Sequence, residues 1–292
     1  MTLTDRLRAH LLALIGDRHP VSSPATLRQA EHYLVGQFQH LGLEVSSHPF
    51  DAFGGTYRNV VATLPASSRA DRQEGAPPLI IAAHYDTVPG SPGADDNASG
   101  LAVILEVAHS LREVSLNREV RFIGFCLEEA TLLGSLAYAA HLKAANQEIA
   151  GAIVLECVGY ARPEEGSQQV PPGIPITVPS VGNFLAIIGN TASADLTAAV
   201  ERAAKPHLPV VALVVPGNGE LLPDTRRSDH AAFWHYGFPA VMLTDTANFR
   251  NPHYHQPTDT LDTLDLSFLE RVTGAVAAAV IDLAGTERMA AR

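Results

Sequence analysis

The chain is poor in sulfur, with only two cysteines, Cys126 and Cys157, in 292 residues. A disulfide framework needs several pairs and a cysteine-only zinc site needs about four in a cluster, so both are excluded. Long uncharged apolar runs are missing too. Within the most apolar helical pattern only VTGAVAAAVI, 272 to 281, is free of charge, against the roughly 20 residues that cross a bilayer. At the N-terminus, MTLTDRLRAHLLALIGDRHP, the residues Asp5, Arg6, Arg8 and Asp17 interrupt the apolar positions. That leaves no secretory leader core and predicts a cytoplasmic protein with no membrane partner. There is no basic run either: 20 Lys and Arg against 31 Asp and Glu leave a formal charge of −11. Such a balance argues against a nucleic-acid partner and favours cations at the surface.

What is present is a globular composition, 46% hydrophobic and 17% charged, too apolar for a disordered chain. No repeat, low-complexity tract or composition break marks a second unit, so residues 1 to 292 are expected to form one domain with a large core. Helical spacing of apolar positions occurs at 4 to 15 and at 24 to 42, the second after Ser22, Ser23 and Pro24. Strand patterns are predicted at 44 to 52, 57 to 64, 78 to 84, 119 to 127, 149 to 158, 184 to 189, 210 to 215 and 239 to 243. Several of these are unbroken apolar runs, as in strands covered on both faces. Helical patterns lie between them at 98 to 113, 132 to 145, 192 to 204, 229 to 236 and 264 to 284. Alternation of the two predicts an α/β/α sandwich with a central, mostly parallel or mixed sheet flanked by helices. Three long loops, 161 to 183, 216 to 229 and 244 to 260, are expected to be functional.

In open α/β sheets, sites form beyond the carboxyl ends of strands. The strand PLIIAAH runs into HYDTVPG with His84 and Asp86, and GADDNASG follows with Asp95 and Asp96 before a helix. RFIGFC leads to Glu128 and Glu129, AIVL leads to Glu156, and the last long loop holds His253, Tyr254 and His255. Each has a plain reading by itself: an incidental histidine, a helix cap at Asp95, Asp96 and Asn97, a solvated turn at Glu128 and Glu129. Together, four carboxylates and a histidine at successive strand ends would repel one another if brought close without partners, and no basic cluster lies nearby in sequence. Bound cations remove that conflict. Imidazole with carboxylates suits zinc, and a carboxylate bridging two ions about 3.5 to 4 Å apart is an arrangement for hydrolysis.

The five segments HYDTVPG, GADDNASG, EEATLLGS, LECVGY and PHYHQPTDT occur in the order found in the cocatalytic zinc aminopeptidase family, which the chain resembles along nearly its whole length. The resemblance implies a metal-dependent aminopeptidase with two zinc ions per chain, acting on peptides with a free N-terminus. It implies that His84, Asp96 and Glu156 hold one zinc and that Asp96, Glu129 and His255 hold the other, with Asp96 as the bridge. Glu128 becomes the general base, Asp86 the residue that hydrogen-bonds a ligand imidazole, and Asp229 a further supporting residue. Tyr254 is a candidate to help stabilise the oxyanion. A cis peptide is implied after Asp96.

Three positions depart from the family pattern. Glu156 stands where many relatives have Asp, Thr131 where a glycine is common, and Asn97 where some relatives carry an acid, which removes one charge expected near the entrance. Cys126 and Cys157 are expected to be buried rather than ligands. His253 is expected to serve the loop or the substrate pocket, and His230 and His235 to serve packing or support. Phe184, Leu185, Phe249 and Tyr254 are candidate apolar walls, which would favour Leu-like or Phe-like N-termini. A zinc-dependent glutaminyl cyclase is the alternative, though its relatives tend to carry an insertion after the glutamate pair and a tryptophan before the last histidine ligand. A non-catalytic binding protein on the same scaffold is a third reading, weakened because every ligand position is filled. The sequence leaves oligomeric state open.

Overall fold

A computed structural model describes residues 1 to 67 and 76 to 286. Among these residues, eight strands and seven α-helices correspond one for one to the sequence patterns. The strands are β1 (Glu44–Ala52), β2 (Gly55–Leu64), β3 (Leu79–His84), β4 (Val120–Phe125), β5 (Gly151–Glu156), β6 (Leu185–Asn190), β7 (Val210–Val215) and β8 (Ala240–Thr244). The helices are α1 (Leu3–Leu14), α2 (Pro24–His40), α3 (Gly100–Leu111), α4 (Leu133–Ala144), α5 (Ala194–Ala204), α6 (His230–His235) and α7 (Leu266–Ala284). No helix among the described residues is long and apolar enough to cross a membrane.

The strands form one mixed sheet in the order β1-β2-β4-β3-β5-β8-β6-β7. β4, β3, β5 and β8 are mutually parallel, so their carboxyl ends lie along the same edge of the molecule. Alternation along each strand divides the core. Ile81, Ala83, Phe122, Ile153 and Leu155 pack towards α1, α2, α3, α5 and α7. Ile80, Ala82, Ile123, Phe125, Ala152 and Val154 pack towards α4 and α6. The fully buried burial pattern of β3 and β5 follows from cover on both faces.

Two boundaries move for reasons that matter to the site. β4 stops at Phe125 because Leu127 turns into the left-handed region, at φ 62°, which ends the extended run before the glutamates. α3 begins at Gly100, after a non-helical turn over 94 to 99 in which Asp96 has φ −106° and ψ 87°. The Asp96–Asn97 peptide in that turn is cis, as the resemblance implies.

Candidate active site

His84 ends β3, Glu128 and Glu129 follow β4, Glu156 ends β5, and His255 sits in the loop after β8. Because those four strands are parallel and adjacent, residues far apart in sequence arrive at one place. Asp96 lies at the centre, with Oδ1 3.1 Å from His84 Nε2 and Oδ2 3.0 Å from His255 Nε2. Glu156 Oε2 is 3.4 Å from His84 Nε2, and Glu129 Oε2 is 3.3 Å from His255 Nε2. Glu128 Oε2 is 3.9 Å from His84 Nε2. Zinc with N and O ligands at about 2.0 to 2.2 Å in a tetrahedron separates its ligands by roughly 3.3 to 3.6 Å, close to the spacings among His84, Asp96, Glu129, Glu156 and His255.

Donor atoms of Asp96, Glu129 and His255 fall within 4.8 Å of one another, as do those of His84, Glu128 and Glu156 and those of Asp96, Glu156 and Cys157. The chemistry of the set fits divalent ions. His84 Nε2, Asp96 Oδ1, Glu129 Oε1 and His255 Nε2 are buried polar atoms with no hydrogen-bond partner among the described residues, and such atoms call for a ligand or ion. Cys157 is the exception in the third group. Burial, reinforced by Asp96 and Glu156, pushes its thiol well up, and Sγ donates to Glu156 Oε1 at 3.3 Å.

The protein groups alone show how strained the charge is. Burial and the neighbouring Asp96 carboxylate push Glu129 up to about 7. Burial drives Glu128 well above the usual carboxylate range, the His84 imidazole opposing and Glu156 and Glu129 adding to the rise. For Asp96 burial acts upward, yet the two facing imidazoles outweigh it and hold the carboxyl below its ordinary value. His255, despite burial, is raised to about 10 by Asp96 and Glu129. Crowded, buried carboxylates of this kind gain from nearby positive charge, which a bound cation would supply.

The family model described as peptidase family M28 matches residues 59 to 280. The chain belongs to peptidase family M28. The Escherichia coli protein YfbL, which is uncharacterised, is 32% identical over 88% of this chain and 81% of its own. The solved structure of BSAP, a zinc aminopeptidase from Bacillus subtilis, superposes with a TM-score of 0.60 at 26% identity, over 82% of this chain and 53% of that one. A glutaminyl cyclase from Macrostomum lignano superposes with a TM-score of 0.73 at 20% identity, over 98% and 91%, a likeness of fold alone. The chain spans about half the length of the Bacillus subtilis aminopeptidase YwaD, of BSAP and of leucine aminopeptidase 1 from Arthroderma otae.

Around the M28 cluster, several sequence expectations are redrawn. The Asp86 carboxylate does not hydrogen-bond the His84 imidazole; it accepts the N–H groups of Glu128 and Glu129 at 3.0 and 3.1 Å and stays 3.7 Å from His84 Nδ1. The Asp86 backbone carbonyl, 3.2 Å from Nδ1, takes that role, because the chain curls back on itself after β3. Asp95 and Asp96 are not caps. Asp95 accepts from Gly159 N–H at 2.8 Å and from Asn251 Nδ2 at 2.7 Å, while Asn97 Oδ1 accepts from Gly100 N–H at 3.2 Å. Asn97 is fully buried and donates to the Leu155 carbonyl at 2.8 Å, so it braces β5 and is not near an entrance. Glu128 and Glu129 follow a central strand, not an edge. Cys126 and Cys157 are buried free thiols, as expected.

The Tyr254 ring stacks on the His255 ring, centroids 3.8 Å apart, and its hydroxyl accepts from Arg227 Nη2 at 3.2 Å. His253 bonds Thr258 and edges against Tyr160, with no part in the pocket lining. His230 stands on the Trp234 ring and meets the Thr225 carbonyl, a packing role. Asp229 is fully buried near the cluster, raised to about 7 by burial, with both oxygens lacking a hydrogen-bond partner among the described residues.

Beside Glu156 and Tyr254 opens a cavity of about 100 Å³ walled by apolar side chains of β6, β7 and β8 and of the 161 to 183 loop. Phe184 and Phe249 line it with Ile174, Ile188, Leu213 and Met242. Leu185 does not. As the strand neighbour of Phe184 it points to the opposite face, into the core under α5 and α7. Sequence reasoning missed the groups that brace the cluster. Asp259 accepts from the N–H groups of Asp95 and Asp96 at 2.9 and 3.1 Å, and Ser228 donates to Glu156 Oε2 at 2.8 Å. Asp259 lies within PHYHQPTDT and Ser228 beside Asp229, so both sat in segments already marked.

Proposed function

We propose that this chain is a two-metal aminopeptidase that releases N-terminal residues from peptides. His84, Asp96 and Glu156 would hold one zinc and Asp96, Glu129 and His255 the other. The observation that carries this reading is the central placement of Asp96, which turns one oxygen to His84 and the other to His255. When bound, two such ions supply Lewis acidity that polarises the scissile carbonyl and makes a nearby water more acidic.

The chain's own groups do the rest. Glu128, beside the cluster at 3.9 Å from His84 Nε2, would accept a proton from water and pass it to the leaving amine. Asp86 holds the backbone of both glutamates, and neighbouring side chains on such a segment diverge, which would leave Glu129 to the metal and Glu128 to the substrate side. Tyr254, its ring against His255, keeps that imidazole in plane and lines the route to the cavity. The cavity is apolar and small beside the roughly 300 to 1,000 Å³ of drug-sized ligand sites, so it suits one apolar side chain such as that of an N-terminal Leu or Phe.

A panel of aminoacyl-anilides assayed before and after chelation tests this. Leu and Phe anilides should be hydrolysed, the activity should vanish with chelator, and added zinc should restore it. Cyclisation of N-terminal glutamine without anilide hydrolysis would replace the peptidase reading with a cyclase.

A further inference from the structure

Arg18 is wholly buried, and no part of the chemistry above uses it. It follows α1, and its guanidinium grips five backbone carbonyls. Nε donates to Tyr85 at 2.8 Å; Nη1 donates to Leu14, and to Gly16 and Pro92 at 3.0 Å each; Nη2 donates to Gly93 at 3.1 Å. The Arg18 backbone N–H donates to Thr87 Oγ1 at 2.9 Å. Residues 85 to 95 join His84 to Asp96, so the arginine ties that segment to the end of α1 at its start, Tyr85, and again at Pro92 and Gly93 near its end.

Two further observations give the contact a direction. Gly93, at φ 61°, has no room for a side chain, since a Cβ there would lie 2.3 Å from the Asp96 carbonyl and 2.7 Å from Arg18 Nη2. The fork and the turn before Asp96 are therefore in direct contact. In addition, Asp96, Asp86, Asp259 and Glu129 all act on the guanidinium; burial lowers it to about 10, and those carboxylates hold it charged at neutral pH. Arg18 is a fixed positive charge behind an acidic cluster. A planar fork with five N–H groups can satisfy several carbonyls at once, which a lysine ammonium cannot.

We propose that Arg18 is a positioning residue for the metal centre, holding the His84-to-Asp96 segment so that the ligands stand at binding distance before any metal arrives. This rests on the reading of the cluster as a zinc centre. Its consequence is a preformed site: zinc binds without ordering the 85 to 93 segment.

Two measurements test it. In hydrogen exchange, the amides of 85 to 93 in the chelated parent should be protected nearly as well as in the zinc-loaded protein, and should lose at least about tenfold of that protection in Arg18→Lys. In a zinc titration against a chromophoric chelator, Arg18→Lys and Arg18→Gln should bind at least about tenfold more weakly than the parent, with Lys the milder. Rapid exchange of the segment in the chelated parent, curing only on zinc addition, overturns the proposal. So does unchanged zinc affinity in a folded variant. Should Arg18→Gln fail to fold, the parent exchange data and Arg18→Lys decide. A parent that binds no zinc sinks the metal reading instead, and exchange then judges Arg18 independently.

Discussion

His84 and Glu156 close the ends of neighbouring parallel strands with side-chain exposures of 0% and 8%, whereas Glu129 and His255 sit on the connections after β4 and β8 at 11% and 32%. The strand-held half takes its geometry from sheet register. Its donors are placed by β3 and β5, and Glu156 is further held by Ser228. The loop-held half depends on individual turns: Asp86 fixes Glu129 through its N–H, and His255 adopts φ 59° under the Tyr254 ring. Asp96 belongs to both. One half is thereby the more deeply buried and the other the more exposed to solvent.

The most severe way to break that comparison is to remove the shared member. Asp96→Ala should strip both ions together and lower turnover by at least about 10³-fold; elemental analysis that finds one ion retained would refute the bridge. Glu128→Gln comes next, with kcat reduced about 10²- to 10⁴-fold and metal content equal to the parent's. If the metal leaves instead, Glu128 is a ligand, as its closeness to His84 and Glu156 allows. His84→Ala and His255→Ala compare the halves directly. Each should cost one ion, but only His84→Ala should also lower thermal stability, by about 2 kcal/mol or more, since it empties a fully buried position. In timed chelation of the parent, the His255 side should release its ion first.

Behind the buried half, His230 sharpens the contrast through pH. Burial lowers it from 6.5 to about 4, so the unfolded chain takes up a proton before the folded one does. Stability is full above pH 6.5 and is lost as pH falls towards 4, by about 3 kcal/mol in all at 1.36 kcal/mol per unit. Denaturation of chelated parent and His230→Gln across pH 7 to 4 should show a steeper decline in the parent. The smallest effect belongs to the loop half. Thr131, an exposed β-branched residue at φ 67°, occupies a conformation that favours glycine. Thr131→Gly should raise stability by about 0.5 to 1 kcal/mol in urea unfolding.

Much of this molecule is written locally. Each strand and helix was legible because hydrophobic periodicity reflects the face that each element buries, a property of a few neighbouring residues. The residues gathered in the cluster were legible for a related reason: each closes or follows a strand, and parallel strands bring such positions to one edge. Boundaries near the site were less so, because Leu127 and the 94 to 99 turn follow backbone conformations that apolar spacing does not encode.

Tertiary structure decided what local pattern does not carry. It sent the Asp86 carboxylate to the backbone of the glutamates, turned Leu185 away from the cavity that Phe184 lines, and gave the Tyr254 hydroxyl to Arg227. It also brought Arg18 from the far N-terminal side to an acidic cluster whose segments contain no lysine or arginine of their own. These outcomes depend on which surfaces meet across long stretches of chain, and hydrogen-bond partners and charge balance exist only once those surfaces are in contact.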